Sequence, residues 1–344
     1  MKQIVFSAAL LMGAILMTAS CGSRGNLNFE SIDKSEWMTL LPDEMPGCEI
    51  SIPGAHDACT VNVDEEYCWF RTQVLDIQQM WDAGVRSFDL RPAARGETLS
   101  IFHDRADTYI SFEEVIGILE DNLEKHPGEF AVVIFRHERE ADTTPNWESL
   151  MGEFLRSGLR EGVALDFRDD LTLGELRGHI IFLGRRQYEG GPVGGYISDW
   201  DDYPVYEEDK HAWVTNAAGG KFCLRVQDHY GPEGAADKIA AVTSLMDAVA
   251  QKPVWSVNHT SGYVSRSKSY GENAQNVNAA VAEHIASLDG HAGIVVMDFA
   301  AADFFTGPYV EGREIGWDYT GPVGSREWNV AGAQLVDALI RKNF

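Results

Sequence analysis

The chain is short of positive charge. Its 53 Asp and Glu outnumber 28 Lys and Arg, giving a formal charge of −25 over 344 residues. Binding to a nucleic-acid backbone depends on basic side chains that neutralise phosphates, so the deficit argues against a nucleic-acid partner. It also argues against steady docking on strongly anionic membrane, although a local patch can override a net figure. Cysteine is scarce too, five in all, with no C-x-x-C and no H-E-x-x-H spacing. Nothing therefore points to a structural zinc. No internal repeat, low-complexity tract or break in composition suggests a second domain. The one long apolar run, Ile4 to Met17, is too short for a membrane span.

What that run does resemble is a leader. Lys2 is the only charge before it, and Thr18, Ala19 and Ser20 are small and precede Cys21. This predicts a signal peptide over residues 1–20. Small residues directly before a cysteine resemble a bacterial lipoprotein site, with Cys21 becoming a lipidated first residue, although Thr18 replaces the usual leucine. The alternative is ordinary secretion with Cys21 removed or free. Residues 21–30 then read as a small, polar tether, and 31–344 as the folded domain of an exported protein. Export permits oxidation of Cys48, Cys59, Cys68 and Cys223, and a disulfide among the first three would brace the stretch between them. Four cysteines allow three pairings, and sequence does not choose.

With 44% hydrophobic and 24% charged residues, a full core can be buried. Ile50 and Ile52 alternate with Ser51 as in a half-buried strand, and Pro53-Gly54 stops it just before His56 and Asp57. Helical spacing is expected over Trp69 to Ala83, a strand over Val85 to Arg91, and a short apolar run over Leu99 to His103. Ser111 and Glu114 form a capping box for the next helix. Phe130 to Phe135 and His179 to Leu183 are continuous apolar runs, as in strands covered on both faces. Further helices are expected over Trp147 to Arg160, Ala235 to Ala250, Ala274 to Leu288 and Ala331 to Lys342. Strands are expected over Phe222 to Val226, Val254 to Val257 and Gly293 to Met297. Gly190 to Asp209 reads as a long surface loop. Alternating strands and helices at this count predict an α/β fold, a single distorted TIM-like (β/α) barrel.

Polar residues gather where strands end: His56, Asp57, Asp89, Arg91, His103, Arg136, Glu138, Arg185, Asp228, Tyr230 and Asp298. In a barrel those ends converge on one face, where active sites lie. Two histidines, several carboxylates and arginines suit acid/base attack on a phosphodiester. One imidazole removes a proton from the attacking hydroxyl and the other protonates the leaving oxygen. Carboxylates fix the tautomers, and an arginine fork matches phosphate.

The ordered series S-I-P-G-A-H-D, A-G-V-R-S-F-D-L-R, I-F-H-D, P-G-E-F-A-V-V-I-F-R-H-E, V-Q-D-H-Y and G-I-V-V-M-D-F resembles the bacterial phosphatidylinositol-specific phospholipases C. It spans about Ile50 to Phe299. The resemblance implies a distorted barrel that cleaves phosphatidylinositol, or glycosyl-phosphatidylinositol, at a membrane surface without a metal or other cofactor. The inositol 2-hydroxyl attacks, giving diacylglycerol and inositol 1,2-cyclic phosphate. By position, the resemblance implies His56 as general base and His103 as general acid, with Asp298 supporting the base and Asp57 the acid. It implies Arg91 as the phosphate-stabilising arginine and Asp89 as its neighbour. Asp228 is an expected acceptor for inositol hydroxyls, and Tyr230 the aromatic beneath the ring. The family's basic residue after the fourth strand is Arg136 or His137, and its inositol-binding arginine Arg185 or Arg186; Arg136 and Arg185 are preferred.

Calcium-dependent relatives carry an acidic residue at the Arg91 position, as a hard cation requires. A glycerophosphodiester phosphodiesterase, a barrel with paired histidines, would likewise need a metal cage there. A barrel that only binds headgroups is the remaining alternative, and both histidines with both carboxylates argue against it.

Overall fold

Short apolar strands alternate with amphipathic helices along the chain. The computed structural model describes residues 29–263, 270–310 and 321–344. The expected leader and most of the expected tether lie outside the described residues. In order, the elements are β1 (Ile52–Ala55), α1 (Ile77–Asp82), β2 (Ser87–Leu90), β3 (Pro92–Arg95), β4 (Thr98–His103), β5 (Ala106–Ser111), α2 (Phe112–Lys125), β6 (Ala131–Phe135), α3 (Trp147–Glu153), α4 (Leu173–Leu176), β7 (Ile180–Gly184), β8 (Gly195–Ser198), β9 (Ala212–Thr215), β10 (Lys221–Gln227), α5 (Ala235–Gln251), β11 (Ser256–His259), α6 (Tyr270–Ser287), β12 (Ile294–Met297), β13 (Phe304–Tyr309), β14 (Gly324–Asn329) and α7 (Gly332–Arg341). All lie within one compact unit, Ile32–Phe344.

Nine strands close into a barrel in the order β1-β12-β11-β10-β9-β8-β7-β6-β2. Neighbours pair in parallel except at β9, which is antiparallel to both β8 and β10. That reversed strand distorts the barrel. β6, β7 and β12 are buried at every position, which explains their unbroken apolar sequences: helices cover one face and the barrel interior the other.

Some expectations change. The helix expected over Trp69 to Ala83 is only α1. Thr72 and Gln73 are drawn away to hydrogen-bond other strands, and Asp76 restarts the helix with a capping box closed by Gln79. The Gly190 to Asp209 stretch holds β8, whose Gly195 and Ile197 are buried. The run Leu99 to His103 is a real strand, β4, but lies outside the barrel in an antiparallel sheet β3-β4-β5. The helix from Trp147 ends its α-helical part at Glu153 and continues as a π-helical turn, Phe154–Gly158. The capping box at Ser111 and Glu114 forms as read. Cys48, Cys59, Cys68 and Cys223 are free thiols.

The 3-10 segment Lys34–Leu40 closes the end of the barrel opposite the strand C-termini. It buries Trp37 and Met38, and Arg86 donates to the carbonyls of Lys34 and Ser35. With that end plugged, the strand C-termini form the open mouth.

Candidate active site

β1 hands over to His56, whose N–H still bonds Met297 O at 2.9 Å in the neighbouring strand β12. The backbone then turns sharply at Asp57, with φ of +42°. A non-glycine residue in the left-handed region is strained, and such strain gathers at functional sites. The turn folds the Asp57 carboxylate back toward the His56 ring. His56 Nδ1 lies 2.8 Å from Asp298 Oδ1, and His56 Nε2 lies 3.3 Å from Asp57 Oδ2.

His103 reaches the same spot from β4. Its Nε2 is 3.4 Å from Asp57 Oδ2, and its Nδ1 is 2.7 Å from Phe70 O. A carbonyl only accepts, so His103 carries its proton on Nδ1 and turns Nε2 toward Asp57. The sequence reading gave Asp57 to His103 alone, whereas the structure sets it between the two imidazoles.

Arg91 follows β2 and completes the cluster. Its Nη2 is 2.8 Å from Asp89 Oδ2 and 3.3 Å from His56 Nε2, and its Nε is 3.1 Å from Asp57 Oδ1. His56, Asp57 and Asp89 offer ligand atoms within 4.8 Å of one another, a spacing that suits a metal ion. The Arg91 guanidinium contacts all three, however, so the cation of this cluster is a side chain. Two carboxylates hold Arg91 charged, well above its ordinary value despite burial. Burial raises Asp89, but Arg91 and then His56 outweigh it and hold its carboxyl far below the usual range.

The histidines part company in protonation. Burial pulls His56 down, but the charges of Asp57, Asp298 and Asp89 outweigh it and push its pKa up to about 9. Burial also pulls His103 down, and there Asp57 does not compensate in full, so its pKa falls. The opposite shifts favour a proton on His56 over one on His103.

Above the cluster lies a cavity of 530 Å³ lined by His56, Asp57, Arg91 and His103 and, farther out, by Arg136, Glu138, Arg185, Asp228 and Tyr230. Arg185 stacks 3.9 Å from the Trp200 ring, whose Nε1 donates to Asp228 Oδ2 at 2.8 Å. Tyr230 stands at the mouth, 43% exposed. The less favoured candidates are elsewhere. His137 bonds Asp142 at 2.8 Å and stacks on Trp147, while Arg186 faces Glu148 at 3.5 Å. Asp89 and Asp298 lie beneath the cavity, buried.

Sequence reading missed Trp200, Asp201 and Asp202, which reach the cavity from the stretch read as a plain loop. A tryptophan among aspartates in a Gly/Pro-rich segment was the available signal. It also missed His259 at the end of β11, buried 5.8 Å from the His56 ring centroid and held neutral by burial, with a pKa of about 4.

No model of a known protein family matches the chain. It is 25% identical over 253 residues to a 1-phosphatidylinositol phosphodiesterase of Staphylococcus aureus, a match covering 69% of this chain and 74% of that protein. A protein of the same name from Listeria monocytogenes is 28% identical over 116 residues, 33% of this chain and 36% of that one. Among solved structures, a mutant phosphatidylinositol-specific phospholipase C from Staphylococcus aureus matches with a TM-score of 0.68 and 22% identity, over 89% of this chain and 96% of that one. The enzyme from Listeria monocytogenes matches with a TM-score of 0.62 and 20% identity, over 78% and 94%. At those identities the structural matches bear on the fold.

Proposed function

We propose that the chain, a member of the bacterial phosphatidylinositol-specific phospholipase C family, cleaves phosphatidylinositol, or its glycosylated anchors, by attack of the inositol 2-hydroxyl on phosphorus. His56 Nε2 takes the hydroxyl proton. The new bond joins the 2-oxygen to phosphorus, the bond from phosphorus to the diacylglycerol oxygen breaks, and His103 Nε2 protonates that oxygen. The products are diacylglycerol and inositol 1,2-cyclic phosphate. Intramolecular attack makes an enzyme nucleophile unnecessary, because the hydroxyl is already held beside phosphorus.

The observation that carries this reading is the single carboxylate of Asp57 within 3.4 Å of both imidazoles, beside a buried Arg91. Asp298 fixes the tautomer of His56 and Phe70 O that of His103, so each ring presents Nε2 toward Asp57 and the cavity. Arg91 provides fixed positive charge for the non-bridging phosphate oxygens, with Asp89 holding the guanidinium. A bound diester anion places negative charge near His103 and draws the proton from His56 toward it, which sets base and acid in their working forms. Arg185, Asp228, Trp200 and Tyr230 offer the inositol ring polar partners and aromatic faces, and Arg136 adds positive charge at the rim.

The same reading makes the protein an exported one working at a lipid surface, lipidated at Cys21 or secreted. In the assay, protein is incubated with phosphatidylinositol micelles plus EDTA and followed by phosphorus NMR. Inositol 1,2-cyclic phosphate should accumulate. Loss of activity that calcium restores would overturn the role given to Arg91.

A further inference from the structure

The last paired residues of β1 and β12 are Ala55 and Met297. The base and its carboxylate partner come one residue later, at His56 and Asp298, just where the last backbone bond between the two strands, His56 N–H to Met297 O at 2.9 Å, is made. Beyond that bond, a side chain from the connecting segment before α1 adds a second bridge between the two strand ends. Gln73 is fully buried. Its Nε2 donates to His56 O at 2.7 Å and to Met297 O at 3.0 Å, and its Oε1 accepts from Ala300 N at 2.9 Å. Both amide protons and the amide oxygen are thereby used.

The neighbour of Gln73 reinforces the bridge. Thr72 O accepts from Phe299 N at 2.7 Å, and Thr72 Oγ1 is placed to donate to His56 O and Asp57 O, each at 3.3 Å. The segment is itself fixed, since Thr60 Oγ1 accepts from the backbone N–H groups of Thr72 and Gln73 at 3.0 and 2.9 Å. The strand ends so held are strained: φ is +42° at Asp57, +56° at Phe299 and +61° at Ala301. Such conformations persist only where their surroundings over-determine them.

We infer that Gln73 is a positioning residue, a clamp between the ends of β1 and β12 that sets the hydrogen bond between His56 and Asp298. It touches neither substrate nor reacting atoms and acts through the backbones of the residues that do. As a positioning role it rests on the reaction proposed above. The geometry of the His56–Asp298 bond can nonetheless be measured without substrate.

Gln73→Met removes all three bonds at similar volume. Gln73→Glu is held as the neutral acid by burial, so it keeps the acceptor and one donor. Gln79→Ala, at the capping box of α1, supplies a variant destabilised without touching the strand ends. For each, kcat and KM on phosphatidylinositol micelles, the melting temperature, and the downfield imidazole N–H proton resonance of His56 are measured. The resonance is assigned by its loss in Asp298→Asn.

The expected result for Gln73→Met is loss or displacement of that resonance and a fall in kcat of about 10²-fold, as for a misplacement of about 1 Å, with KM little changed. Gln73→Glu should fall in between, and Gln79→Ala should keep both resonance and kcat. Where Gln73→Met fails to fold, Gln73→Glu decides by the same readouts. An unmoved resonance with unchanged kcat overturns the inference, as does an equal loss of kcat in Gln79→Ala. If wild-type protein leaves phosphatidylinositol uncleaved, the proposed reaction falls, while the resonance still tests the clamp.

Discussion

At the scale of single residues, the proposed chemistry turns on where one proton sits. In the free protein it favours His56, with a pKa near 9, while His103 is lowered by burial. The proposed reaction needs the reverse arrangement, so the rate without bound substrate depends on a minor protonation state of a coupled pair. kcat/KM should then be bell-shaped in pH, with limbs belonging to the pair: an alkaline limb near pH 9 and an acid limb below the ordinary imidazole range. Asp57 raises both imidazoles, so Asp57→Asn should move both limbs to lower pH, and a limb that stays put would show that Asp57 does not couple them. His56→Ala and His103→Ala should each abolish cleavage while leaving the circular dichroism spectrum unchanged; normal activity in either ends the mechanism. These residues were legible in sequence because their types are unusual where a strand stops, and because an ordered series of such stops repeats a family pattern. Gln73 and His259 were not legible. A glutamine three residues before a helix cap and a histidine ending a short strand look ordinary until the strands to which they answer are brought together.

At the scale of elements, the barrel is pinned at the end opposite the site. Arg86 enters β2 and Glu129 precedes β6, both fully buried, with Nε to Oε2 at 2.9 Å. The same guanidinium donates to the carbonyls of Trp81, Val85, Lys34 and Ser35, and Glu129 accepts from Thr39 N at 3.0 Å. Removing one partner of a buried pair strands the other's charge, so Glu129→Gln should lower stability by about 3–5 kcal/mol, read from the urea midpoint. Replacing both by apolar residues would not recover it, since the four carbonyls would lose their donor. Activity per folded molecule should survive, because this end of the barrel is far from the mouth. A midpoint shift below about 1 kcal/mol would remove the pair from the account of stability. Fully covered strands and capped helices were readable because burial and capping leave local patterns. β8 and β9 were not, being four residues each with only two buried positions. Nor was the separation of β4 from the barrel, since an apolar run does not say which sheet it joins.

At the scale of the whole molecule, the proposed substrate poses an electrostatic problem. Phosphatidylinositol is anionic, and the chain carries a formal charge of −25. The cavity's positive charge is local: Arg91 is buried and paired with carboxylates, and Arg185 is stacked on Trp200. Only Arg136, 45% exposed along its side chain, stands well out toward solvent at the rim. Such a protein meets a strongly anionic bilayer against its own field, and approach should improve as salt shortens the range of repulsion. The Debye length falls from about 10 Å at 0.1 M to about 3 Å at 1 M. Phosphatidylinositol diluted into phosphatidylcholine vesicles should therefore be cleaved faster at low salt than the same fraction diluted into phosphatidylglycerol. The gap should close as sodium chloride is raised toward 1 M. A tether at Cys21 would weaken the effect by holding the protein at the surface regardless of charge, so soluble protein lacking residues 1–21 is the form to assay. Equal rates on the two vesicles at low salt would mean that a local patch around the mouth, and not the net charge, governs how the barrel meets its lipid.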